Sequence, residues 1–290
     1  MGDAAQGEPP KHEVFLSPFK VDPKYEMWPT PANYRQYPGG KALPDKIKVW
    51  RVQNTGKDYG GVVAFPGGFE DSPDAEVLTP GFNVGKGSGS VGVGRQGNFL
   101  QWGFSAPPSQ MTEAGRRFFL NCICYIRKFD GQAPLVRVQS SDRSYAVFLA
   151  SLINRITDPK FKTRLFPENL LNKFNDDPEG LAKFYQDHLE LIYRDRVFRV
   201  DEDLPRLGIK SNRTLATLQR LVKLLDDPAR KGPARKELQR YTERSFATPG
   251  EWRAWFDKNR HRFYFTDVGG YKFMIAPGNY PVRKGSLLQP

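Results

Sequence analysis

Residues 95–102, Arg-Gln-Gly-Asn-Phe-Leu-Gln-Trp, bring Arg95, Gln96, Asn98, Gln101 and Trp102 into one short stretch. Planar amides beside an indole suit a sugar or another polyol. The aromatic face packs on C–H groups and the amides bond hydroxyls. Arg95 could clamp an anion. A second reading takes Trp102, Phe99 and Phe104 as core and the glycines as turn residues, and spacing alone leaves both open. Upstream, Glu70, Asp71, Asp74 and Glu76 make an acidic loop. Such carboxylates can bind Ca²⁺ or serve as acid and base when paired. Their spacing departs from the EF-hand pattern, and solvated loop charge is the favoured reading.

The elements that must position these residues follow from the pattern around them. Ser90–Gly94 alternates small residues with Val91 and Val93, as a strand with one buried face does. Gly97-Asn98 signals a turn, and Phe99–Trp102 resumes an extended run. Pro107-Pro108 breaks it. Thr112 caps a helix with Glu113 in its first turn. Phe118, Phe119, Cys122, Ile123 and Ile126 read as its apolar face, with Arg116, Arg117, Arg127 and Lys128 off it. Gly131 sits where a helix C-terminal glycine is expected.

Other motifs fail on context. Gly85–Ser90 is glycine-rich but lacks the Gly-Lys-Ser/Thr ending of a phosphate loop, and reads as a hairpin connection. Gly92-x-Gly94-x-x-Gly97 matches the dinucleotide fingerprint, yet no helix is expected after Gly97. Cys122 and Cys124 fall two residues apart in a helix, a poor geometry for a disulfide. Three scattered histidines give no metal pattern, so neither metal nor cofactor is expected.

At 290 residues the chain suits one large domain or two modest ones. Hydrophobics at 39% and aromatics at 13% are enough for a core. No run of about 18 apolar residues exists to span a membrane. The start lacks a basic and apolar signal region and a myristoylation motif. It reaches the strand-like Val14-Phe15-Leu16 abruptly, as a C-terminal piece of something longer would. The net charge of +12 divides into +3 for residues 1–140 and +9 for 141–290. That excess permits anionic partners, but acids are interleaved as on a solvated surface.

We read residues 1–46 as a Pro- and aromatic-rich arm wrapping the core, Ile47–Val52 as a strand and Val62–Phe65 as another. The first domain is 1–135, and residues 132–145 form a linker with Arg137 and Arg143. The second, 145–290, is helical: Tyr145–Ile156, Pro167–Lys173, Pro178–Arg194, Ser211–Asp226, Pro233–Thr242 and Pro249–Arg260, with proline starts. Leu215, Leu218, Leu221, Val222 and Leu225 form a stripe. Thr248 and Glu251 have capping-box spacing. Trp252, Trp255 and Phe256 read as packing. Phe263–Phe265 and Tyr271–Ile275 flank Gly269-Gly270 as a terminal β-hairpin, and Arg283 and Lys284 read as tail. The fold class is α+β: a partial α/β sheet layer with an amphipathic helix, then a helical region and the hairpin.

Asp71–Glu76, Val91–Phe99, Trp102-Gly-Phe104, Met111-Thr-Glu113 and Asn121–Tyr125 resemble a family of uncharacterised bacterial proteins common in planctomycetes. Arg240-Tyr-Thr242, Ala247-Thr-Pro249, Glu251–Phe256 and Val268–Phe273 continue that resemblance over most of the chain. The first half is more remotely similar to the end of class I glutamine-amidotransferase-like domains, including the trehalose-utilisation type. The helix pair at 211–242 resembles one HEAT-like unit. Family members often carry His at the positions of Gln96 and Gln101, and amidotransferases need a Cys on a strand-to-helix elbow. This chain shows neither. The relatives are often exported, which implies an extracytoplasmic setting.

The balance favours a non-catalytic binding or scaffolding module. Its expected partner is a carbohydrate-like ligand or a protein. A hydrolase or sugar-modifying enzyme, with Glu70, Asp71 and Arg95 at work, is the alternative. Nucleic-acid binding through the basic helices is a second alternative, disfavoured because no helix-turn-helix, zinc or RNP motif is present.

Overall fold

The computed structural model describes residues 2–8, 11–37, 39–56, 61–83, 85–137 and 140–278. Helix exceeds strand, 41% to 18%, and every strand pairing among the described residues is antiparallel, so the chain is α+β. It divides into two compact units, residues 1–70 with 74–135 and residues 71–73 with 136–290. Among the described residues no helix is long and apolar enough to cross a membrane.

The first unit holds two three-stranded sheets. Strands β1 (Ala4–Gln6), β2 (Tyr25–Pro29) and β3 (Lys46–Arg51) pair in the order β1-β3-β2. The arm expected to wrap the core therefore supplies two strands to a sheet. Val14-Phe15 lies in a 3-10 turn, not a strand. The run 62–65 makes only an isolated bridge, Ala64 to Val91. After a short helix α1 (Gly67–Glu70), strands β4 (Ala75–Pro80), β5 (Val91–Gln96) and β6 (Phe99–Trp102) pair in sequence order. Gly97, at φ 53°, turns β5 into β6. Its approach to the backbone of residues 132–134 leaves no room for a Cβ.

Helix α2 (Glu113–Ile126) starts at Thr112, whose hydroxyl accepts from Gly115 N at 3.0 Å. Its buried face is Gly115, Phe118, Asn121, Cys122 and Tyr125. The expected stripe is rotated, since Ile123 is 48% exposed. Gly115 sets the rotation by packing on the Val52 carbonyl, where a Cβ would sit 2.0 Å away. Asn121 completes it, holding the carbonyls of Val14 and Phe19 at 2.8 and 2.6 Å.

The second unit is built of α3 (Arg143–Ala150), α4 (Pro159–Leu165), α5 (Glu168–Phe174), α6 (Pro178–Asp187), β7 (Ile192–Asp195), β8 (Val197–Val200), α7 (Asp203–Arg206), α8 (Leu215–Leu224), α9 (Lys231–Thr242), α10 (Pro249–Asn259), β9 (Phe263–Thr266) and β10 (Lys272–Ile275). Two expectations fail here. Residues 188–194 leave the helix to begin a hairpin, β7 with β8, whose turn residue Arg196 has φ 60°. Arg143 is helical and buried, not part of a linker. Its guanidinium meets Asp267 Oδ1 at 2.6 Å and Oδ2 at 2.8 Å. The Thr248–Glu251 capping box and the β9–β10 hairpin form. Trp252 and Phe256 join a core with Leu218, Leu221 and Tyr241. Arg283 and Lys284 lie outside the described residues.

Candidate functional site

The five residues of the β5–β6 hairpin do not converge. Arg95 pairs with Leu100 and Val93 with Trp102 across the strands, so Arg95 and Trp102 share one face and Gln96 and Gln101 the other. Arg95 is buried. Its Nε lies 2.8 Å from Glu76 Oε1 and its Nη1 3.0 Å from the Gly97 carbonyl. Its guanidinium lies 3.6 Å from the Phe129 ring centroid. Trp102 packs on Phe104, Phe118 and Phe119, so its ring is spent internally. Gln101 donates to the Val91 carbonyl at 3.1 Å. Asn98 is exposed, and so is Phe99 at 67%, against its reading as core.

The acidic loop is not a solvated cluster. Asp74 is buried and accepts from Leu135 N at 2.8 Å. Asp71 belongs to the second unit, accepting from Asp267 N at 2.7 Å and from the Thr266 hydroxyl at 3.3 Å. Glu70 ends α1 in the first. Glu76 takes Arg95, the Tyr125 hydroxyl at 2.8 Å and His12 Nε2 at 3.0 Å. His12 Nδ1 accepts from Val14 N, which leaves the imidazole no free nitrogen for base chemistry. Among the described residues no group of His, Cys, Asp and Glu is placed to hold a metal.

A different arrangement stands out in the second unit. A cavity of about 310 Å³ opens between α5, α6, the β7–β8 hairpin, α7 and α9. Its walls carry Tyr193, Arg199, Glu202, Asp203, Lys236 and Arg240. Each is placed by an ordinary element. Tyr193 and Arg199 are directly paired across the hairpin, so they share a face. Lys236 and Arg240 stand one turn apart on α9. Lys236 Nζ meets Asp203 Oδ2 at 2.7 Å.

Beneath Arg240 lie two carboxyl groups whose side chains are fully buried, Asp201 and Glu237. Arg240 Nη1 bridges them, 3.0 Å from Asp201 Oδ2 and 2.7 Å from Glu237 Oε2. The Tyr241 hydroxyl donates to Asp201 Oδ2 at 2.6 Å. Asp201 Oδ1 accepts from the backbone N–H of Asp203 and Leu204. Above, the guanidinium lies over the Tyr193 ring at 4.8 Å. Burial, the Asp201 charge and a hydrogen bond with Asp201 all raise the pKa of Glu237 against the pull of Arg240. Glu237 is therefore held above the ordinary carboxylate range.

The wall thus offers a fixed arginine, an aromatic face and further charged groups in mutual balance. Arg199, Lys236 and Arg240 are offset by Glu202, Asp203 and the Asp201 beneath. Among the described residues the wall holds no serine, cysteine or histidine. Sequence reasoning missed these residues because they are spread over 167–240 and each reads as solvated surface. One signal was present: Glu237 interrupts the apolar positions Ala234, Leu238 and Tyr241 of α9, and a charge on a buried face needs a partner. Comparison with known protein families, curated proteins and solved structures finds no match to this chain.

Proposed function

We propose that this chain is a non-catalytic binding module whose ligand site is the cavity of the second unit, and that the ligand is a neutral, carbohydrate-like molecule. The observation that carries this reading is Arg240, anchored from below by Asp201 and Glu237 and stacked on Tyr193 at the cavity wall. A guanidinium held on two sides loses little freedom on bonding a ligand oxygen. The balance of charge favours a neutral ligand over an anion or a nucleic-acid strand, which would need uncompensated cations. Planar carboxylates and guanidinium groups bond adjacent hydroxyls, and the Tyr193 and Phe184 rings offer apolar surface to C–H groups. The cavity lies at the small end of the ligand-pocket range, roughly 300–1,000 Å³.

Thermal unfolding against glucose, galactose, N-acetylglucosamine and cellobiose tests this. A sugar present at about ten times its Kd adds about 1.4 kcal/mol of apparent stability. Arg199→Ala, at an exposed wall position, should abolish most of that gain while leaving the ligand-free Tm within a degree or two. No stabilisation by any of the four, or stabilisation that Arg199→Ala leaves intact, overturns the assignment.

A further inference from the structure

Glu237 has a feature that anchoring Arg240 does not explain. Its side chain has no exposure, and its Oε2 accepts from Arg240. Its Oε1 is buried and no donor among the described residues reaches it. A bare carboxylate oxygen in that place would be costly. A neutral carboxyl group bears such a place at less cost than a carboxylate, and Asp201 lies within hydrogen-bonding reach of the Glu237 side chain.

We propose that Glu237 is a positioning residue of the cavity: through the carboxyl pair it forms with Asp201 it sets how Arg240 is presented, and so it ties occupancy of the cavity to pH. The pH link rests on the binding reading above; the control of Arg240 does not. With Glu237 neutral, Arg240 serves one buried negative charge and keeps donors for a ligand. Once Glu237 ionises, two buried carboxylates compete for the guanidinium and draw it down. The charged and titratable groups around Glu237 are Asp201 after β8, Asp203 on α7, Tyr193 on β7, and Lys236, Arg240 and Tyr241 on α9. None of the other carboxylates is placed to do the same. Asp203 is held low by the Lys236 hydrogen bond, and Asp201 is fixed by Tyr241 and two backbone donors. Burial and the Asp201 charge raise Glu237 above the ordinary carboxylate range, toward neutral pH.

The test has a ligand-free arm and a binding arm. In the first, the Arg240 Nε–H resonance is followed by nitrogen NMR from about pH 5 to about pH 9. It should titrate in the wild type, stay flat in Glu237→Gln, and titrate at lower pH in Asp201→Asn, where the raising charge is gone. A resonance that does not move in the wild type, or that titrates equally in Glu237→Gln, overturns the proposal. In the second arm, the Kd for cellobiose should weaken about tenfold over that range in the wild type, the loss of one charged hydrogen bond, and stay constant in Glu237→Gln. Cellobiose binding with the same pH dependence in both proteins also overturns it. Failure of glucose, galactose, N-acetylglucosamine and cellobiose alike to bind, with the Arg240 titration intact, refutes the binding reading and leaves the control of Arg240 standing.

Discussion

The surroundings of Glu76 and Asp71 shift the two carboxyl groups in opposite directions. Burial alone would push the Glu76 carboxyl up, but hydrogen bonds from His12, Arg95 and Tyr125 outweigh it and hold the group at about 2. Its folded value lies below its unfolded value. Its contribution is therefore complete above about pH 4.5 and is lost as the pH falls toward 2. Glu76→Gln should flatten that acid limb in urea titrations at successive pH values. Asp71 runs the other way. Burial raises it to about 7, with the Asp267 N–H opposing and the Asp267 charge assisting. Between about pH 4 and about pH 7 the folded chain holds the extra proton, so stability falls as the pH rises. Asp71→Asn should remove that slope. Arg143→Met leaves Asp267 buried with its guanidinium partner gone, and should cost about 3–5 kcal/mol in chemical denaturation.

Elements were legible where a local rule decides them. The Gly97 turn, the Thr112 cap, the Thr248–Glu251 box and the β9–β10 hairpin each rest on a few adjacent residues. The α2 face was misread because its orientation depends on distant backbone. Gly115 fits the Val52 carbonyl and Asn121 binds residues 14 and 19, and neither residue counts toward a hydrophobic stripe. Gly115→Ala should therefore destabilise by about 1–3 kcal/mol. Ile123→Ser should stay within about 0.5 kcal/mol, despite the larger apolar loss. Differential scanning calorimetry of the two variants decides between the two faces. The β7–β8 hairpin was missed because Arg196, not Gly or Asn, occupies its left-handed turn position. With no turn signal, the apolar residues of 188–194 continued the α6 pattern.

For the whole molecule, the net charge of +12 is a poor guide to partners. In the second unit Lys183, Arg206, Arg213, Arg230, Lys236 and Arg253 each meet a carboxylate. The candidate site was the least legible part of the chain. The hairpin at 95–102 gathers suitable residue types in sequence, and pleating divides them between two faces. The cavity gathers residues from 167 to 240 that no local pattern joins. The proposed function assigns ligand recognition to the cavity and not to that hairpin. The most direct test is the amide chemical-shift map of the full chain titrated with cellobiose. Saturable shifts are expected to cluster at Tyr193, Arg199, Glu202, Lys236 and Arg240, with Gln96–Trp102 unmoved. Shifts centred on Gln96, Asn98 and Gln101 with the cavity silent would contradict it.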